Sequence, residues 1–132
     1  MNRLEIFINS ELAEMIKVEN FVQHFCTVFD LPSELHGRVT LSVQEAVNNA
    51  IFHGNMMESS KLVTLIAEKT KDLLKVTVMD EGSGFDYSKI PDPTLPDAMF
   101  DFSGRGLYVM KTLSDQLIFE NNGASVALLF ML

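Results

Sequence analysis

A chain of 132 residues that is 47% hydrophobic and 21% charged is long enough to bury one core and too apolar to stay disordered. Its formal net charge of -8, with only ten Lys and Arg residues, argues against direct nucleic-acid binding, because phosphate contacts require clustered positive charge. No apolar run approaches the ~20 residues that span a bilayer and Met1 to Phe7 lack a signal-peptide pattern, so a cytoplasmic protein without membrane association is the expectation.

Residues 1–132 read as one domain, with no repeat, low-complexity tract or linker. Leu4, Ile6 and Ile8 alternate with Glu5, Phe7 and Asn9, which predicts a strand at a sheet edge or in a partner interface, since Phe7 leaves its outer face partly apolar. Ser10 is a candidate N-cap, with Glu11 and Glu14 in the first turn of a helix reaching about Phe29. Its apolar positions include Leu12, Met15, Ile16, Phe21, Val22 and Phe25; His24 reads as an ordinary helical side chain and Cys26 as a buried structural thiol. Asp30-Leu31-Pro32 breaks this helix and starts another, with Ser33 and Glu34 in its first turn.

On the second helix Val39, Val43, Ala46, Val47 and Ala50 recur at spacings of three and four and form one apolar stripe. Glu45, Asn49 and His53 recur every four residues and form a polar line along the edge of that stripe. A site can be built there, because packing on one side holds polar groups for chemistry on the other. Gly54 suits a left-handed C-cap, and Asn55 to Ser60 is a connection. Lys61 to Glu68 and Leu73 to Asp80 predict two strands joined by a hairpin turn over Lys69 to Asp72. Tyr87 to Phe102, with Pro91, Pro93 and Pro96, reads as a long surface loop. Ser103-Gly104-Arg105-Gly106 opens a third helix whose inward face is Leu107, Met110 and Leu113. Gln116 to Glu120 and Ala124 to Leu132 read as a closing hairpin across Asn121-Asn122-Gly123.

Three short motifs carry the chemistry, and each alone has an ordinary structural reading. Glu45 and Asn49 form an i, i+4 pair that suits a helix-surface hydrogen bond, or a neutral oxygen for a hard cation beside a general base. Asp80-Glu81-Gly82-Ser83-Gly84 is common turn chemistry, or a carboxylate set to accept from an exocyclic amine such as that of adenine while bare backbone approaches a flat ligand. Gly104-Arg105-Gly106 is a glycine pair at a helix start, or a phosphate site at its N-terminus to which Arg105 adds a charge-assisted contact.

Taken in order, Glu45-Ala46-Val47-Asn48-Asn49-Ala50-Ile51-Phe52-His53-Gly54, Asp80-Glu81-Gly82-Ser83-Gly84-Phe85 and Ser103-Gly104-Arg105-Gly106-Leu107 resemble the asparagine box and the two glycine boxes of the GHKL ATPase superfamily. The closest resemblance is to its stand-alone anti-sigma-factor serine/threonine kinases, and it covers nearly the whole chain. It implies the Bergerat-type α/β (α+β) fold: a two-layer sandwich with a mixed, largely antiparallel sheet packed on one side by about three helices. It implies ATP and Mg2+ as cofactors, Asn49 as magnesium ligand, Glu45 as general base and Asp80 as the adenine-recognising carboxylate. Gly82 and Gly84 then match the glycines of the adenine pocket, and Gly104 and Gly106 those at the triphosphate. The implied activity is phosphorylation of a serine on an anti-sigma-factor antagonist protein in a partner switch, with a sigma factor as a second partner. The apolar outer face of the first strand separately suggests a homodimer formed through Leu4 to Asn9 and neighbouring elements. The lid-like loop departs from the pattern, since Lys89 is its only basic residue against Asp92, Asp97 and Asp101. That motivates the alternative of a nucleotide-binding regulatory module that sequesters a partner without kinase activity.

Overall fold

The computed structural model describes residues 2–82 and 102–132, with the side chains of 102–104 excepted. The expectations placed on Gly84 and on the loop up to residue 101 lie outside the described residues. The strands are β1 (Arg3–Asn9), β2 (Leu62–Lys69), β3 (Leu73–Met79), β4 (Gln116–Glu120) and β5 (Ser125–Met131); the helices are α1 (Met15–Val28), α2 (Ser33–Asn49) and α3 (Phe102–Leu113). The five strands form one sheet in the order β1-β2-β3-β5-β4.

Among the described residues every pairing in that sheet is antiparallel, in keeping with the expected two-layer sandwich and its largely antiparallel sheet. Short reversals join β2 to β3 and β4 to β5, and a tight turn permits only the antiparallel sense. The second reversal passes through Asn121, Asn122 and Gly123 at φ of 53°, 57° and 94°, residue types that enter the left-handed region at low cost.

Alternation along each strand sends one set of side chains inward: Ile8, Val63, Leu65, Leu74, Val76, Val78, Leu128 and Phe130 are all buried. The helices close this face. Val18, Phe21, Val22, Phe25 and Cys26 from α1 and Leu35, Val39, Val43, Ala46 and Val47 from α2 join the same core, and Leu107 and Met110 bring α3 into it. Arg38 on α2 fastens the far end of α3, donating from Nε to Leu113 O at 2.9 Å, so the two helices that carry the polar motifs are tied together. β1 is an edge strand, as its pattern predicts, and Phe7 on its outer face is 59% exposed.

Two helix-end expectations fail for the same reason: tertiary contacts claim the residues. Ser10 caps no helix; α1 begins at Met15 after a single 3-10 turn over Leu12–Glu14, and the Ser10 hydroxyl donates to Lys61 O at 2.7 Å. Leu12 and Ile16 consequently face solvent, while Val18 takes the inward place. Gly54 is not left-handed. α2 runs on into a π-helical turn, Ala50–Gly54, and the chain reverses at Met56 and Met57, whose φ values are 53° and 58°. The reason for a glycine at 54 lies in what packs against it.

Candidate functional site

The apolar stripe of α2 is fully internal: Val39, Val43, Ala46, Val47 and Ala50 are each at most 5% exposed. This anchors the helix and leaves Glu45 and Asn49 half-buried on the edge that faces α3. Gly106 of α3 lies directly against them, since a Cβ at that position would stand 3.0 Å from Glu45 Oε2 and 3.3 Å from Asn49 Nδ2. A side chain there would be a tight fit, and Glu45 and Asn49 would have to give by a few tenths of an ångström. His53, third on the polar line, is exposed.

Asn49 Oδ1 is buried without a hydrogen-bond partner. Leaving a buried amide oxygen unpaired costs ~1–3 kcal/mol, so the position calls for a ligand. A neutral oxygen beside the Glu45 carboxylate suits a hard divalent cation such as magnesium, and on that observation the residues fit it. Gly106 lies near the start of α3 (Phe102–Leu113), with Gly104 in the first turn, so the beginning of this helix is beside Glu45 and Asn49, and the N–H groups and partial positive charge of a helix start favour an anion. Arg105 follows on the exposed side.

The other end of the site is built by Asp80 at the exit of β3. Its N–H donates to Ala124 O at 2.9 Å, which draws the strand exit onto the start of β5. Its Oδ1 accepts from the Gly82 N–H at 2.8 Å. Burial raises its pKa above the ordinary carboxylate range, and the Gly82 N–H and the charge of Lys61 offset this only in part. The carboxyl group rests on Gly54, where a Cβ would fall inside it, and a Cβ on Gly82 would overlap the Gly54 carbonyl. Both glycines are therefore glycines for closeness of approach, one from the asparagine motif and one from the aspartate motif.

Between the two ends lies a cleft of about 300 Å³, its open mouth included. Asn49 and Asp80 are its polar groups, and Ala46, Ala50, Val78, Met110 and Val126 supply apolar walls. A flat, mostly apolar ring with one amine at its edge matches this lining. Sequence reasoning anticipated the polar groups but missed the far wall of Phe119, Gly123 and Ala124, whose only visible signal was a hairpin turn. It also missed Asn55, read as mere connection, which is wholly buried.

Residues 8–130 match the family model of the histidine kinase-like ATPase domain. The chain belongs to this family. Among relatives in the histidine kinase-like ATPase family, an anti-sigma F factor of Lysinibacillus sphaericus is 32% identical over 110 residues, covering 82% of this chain and 73% of the relative. An anti-sigma F factor of Clostridium perfringens is 32% identical over 124 residues, with coverages of 87% and 82%. The serine-protein kinase RsbW of Bacillus subtilis is 33% identical over 95 residues, covering 67% of this chain and 59% of that kinase. The crystal structure of the RsbU and RsbW domains of a Mycobacterium tuberculosis protein superposes with a TM-score of 0.68 over 99% of the chain, at 13% identity, and the chain spans 32% of that larger protein. At that identity the likeness concerns the histidine kinase-like ATPase fold alone.

Proposed function

We propose that the chain is an ATP-dependent serine/threonine protein kinase acting as an anti-sigma-factor-type regulator, phosphorylating a serine on an antagonist protein in a partner switch. The observation that carries it is the unpartnered, buried Asn49 Oδ1 beside Glu45, at the end of a cleft whose other end is Asp80. The names of the relatives, anti-sigma F factor and serine-protein kinase, support the same reading.

In this reading Asp80 accepts a hydrogen bond from the adenine amine, and the apolar walls and the bare backbone at Gly82 enclose the ring; Gly84, assigned to the same pocket from the sequence, lies outside the described residues. The start of α3, through Gly104, Arg105 and Gly106, holds the phosphates. Asn49 would hold Mg2+, which when bound would neutralise charge on the phosphates. Glu45 orients the acceptor serine and takes its hydroxyl proton as the Oγ–P bond forms and the bond to the ADP leaving oxygen breaks.

The test is transfer of labelled γ-phosphate from Mg-ATP to candidate antagonist proteins, beginning with any encoded beside this chain. Transfer by the wild type and its loss in Glu45→Gln are expected; full transfer by that variant would remove Glu45 as base. Nucleotide binding without transfer to any candidate would favour the module that sequesters a partner, a reading supported by the acidic residues Asp92, Asp97 and Asp101 in the lid-like loop. A sigma factor as sequestered partner and a homodimer through the exposed edge of β1 belong to this proposal, and a monomeric mass in solution would refute the dimer. Among the described residues no helix is long and apolar enough to cross a membrane, and we place the action in the cytoplasm.

A further inference from the structure

Asn55 has no exposed surface. Its Nδ2 donates to Ser10 Oγ at 2.8 Å and to Leu62 O at 3.0 Å, and its Oδ1 accepts from the Glu81 N–H at 2.7 Å. Its own N–H donates to Ala50 O at 2.8 Å, closing the π-helical turn. One residue therefore joins the end of β1, the end of the asparagine motif, the start of β2 and the peptide that follows Asp80. Its surroundings are satisfied in turn: the Ser10 hydroxyl donates to Lys61 O, and the Glu81 carboxylate accepts from the Leu62 N–H. Asn55 and Ser10 form its buried centre, and a buried pair with its polar groups paired is rigid.

The consequence falls on Asp80. Three successive N–H groups are fixed around its carboxylate: its own to Ala124 O, that of Glu81 to Asn55 Oδ1, and that of Gly82 to its own Oδ1. Gly54 lies behind the carboxyl group. Of these anchors, the one at Glu81 is the only one supplied by a side chain other than that of Asp80, and therefore the only one that a substitution removes while leaving Asp80 in place.

We propose that Asn55 is the positioning residue for the base-recognising end of the cleft: its Oδ1 link to the Glu81 N–H sets where the Asp80 carboxylate stands, and so how strictly the site demands a purine with an exocyclic amine. Asn55 touches no ligand itself and acts through Asp80. This rests on the nucleotide reading above.

The test compares ATP with purine riboside 5′-triphosphate, which lacks the amine, by calorimetry on the full chain. Wild type prefers ATP by roughly ten- to a hundredfold, the worth of one hydrogen bond to a charged acceptor, and Asp80→Asn removes most of that preference. Asn55→Ala lowers the preference to about threefold or less while purine riboside 5′-triphosphate binds nearly as before. Asn55→Asp, which keeps an acceptor for the Glu81 N–H but loses both donors, melts earlier yet holds the preference. Should Asn55→Ala fail to fold, Asn55→Ser, whose shorter hydroxyl stops short of Glu81, carries the same expectation. A merely structural role would lower affinity for both triphosphates equally and leave the ratio intact, which overturns the proposal. So would loss of the preference in a folded Asn55→Asp. A wild type that does not distinguish the two triphosphates would instead overturn the adenine assignment of Asp80, and this proposal with it.

Discussion

Gly54→Ala and Gly37→Ala are the same chemical change at two helical positions, and the structure gives them opposite signs. Alanine ordinarily stabilises a helix over glycine by ~0.5–1 kcal/mol, because glycine loses more backbone freedom on folding. Neither glycine has a positive φ, so neither backbone opposes the change. At Gly37, exposed in α2, a Cβ meets nothing within 4 Å, and the whole gain is realised. For a domain of this size that raises the thermal midpoint by about 2–4 °C. At Gly54 even the farther Asp80 carboxylate oxygen would stand 2.7 Å from the new Cβ, the other carboxyl atoms closer, where ordinary contact begins at 3.4 Å. The carboxyl group must retreat by about 1 Å or more, against its bonds to Gly82 and through the peptide held by Asn55, and such overpacking costs ~1–3 kcal/mol. The difference is about 0–2.5 kcal/mol in favour of overpacking, about 1 kcal/mol at its middle, so the midpoint falls by about 4 °C. A carboxylate displaced that far leaves hydrogen-bond range, and ATP affinity falls about tenfold or more. Calorimetric melting and ATP titration of the two variants check this. A Gly54→Ala protein that melts higher, as Gly37→Ala does, and binds ATP as tightly as wild type would refute the close approach of Asp80 to Gly54.

Other expectations follow from single atoms. Burial raises the Asp80 pKa in the fold, so the ionised carboxylate weighs against folding; that contribution is absent below the ordinary carboxylate range and grows as pH rises through the raised pKa. Ligand-free Asp80→Asn therefore melts at or above wild type at pH 7, the gap closing toward pH 3, while ATP binding weakens; a variant less stable than wild type at pH 7 would show that desolvation does not dominate. Asn49→Ala removes the unpartnered oxygen, and the expected result is nucleotide binding that no longer tightens when magnesium is added, against a clear magnesium dependence in wild type. Unchanged magnesium dependence would exclude Asn49 as ligand. Cys26 is 4% exposed with its thiol pKa pushed up by burial, so it resists a thiol reagent in the native protein and reacts upon denaturation.

The elements were legible in the sequence wherever a period of two or near 3.6 ran long enough, because burial on one face imposes that period. The stripe of α2 and the alternation of β1, β2 and β3 are of this kind. The three polar motifs were legible only together, since each alone has an ordinary structural reading and their order along the chain is what sets them apart. Helix ends were less legible: Ser10 has the chemistry of a cap and Gly54 that of a C-terminal turn, yet each is claimed by a partner more than twenty positions away in the chain. Asn55 had no local signal at all, since a buried amide in a connection has meaning only through Ser10, Leu62 and Glu81.

Sequence alone thus determined which groups this protein offers: the Glu45 and Asn49 pair on one helix edge, Asp80 at a strand exit, and glycines beside each. Tertiary structure alone decided that Gly54 is where the carboxylate of Asp80 rests, that Gly106 lies against Glu45 and Asn49, and that Asn55 holds the peptide between. The division has one physical cause. Periodicity reports which face of an element is buried, whereas contacts between elements depend on how closely two backbones approach, and no local pattern encodes that distance.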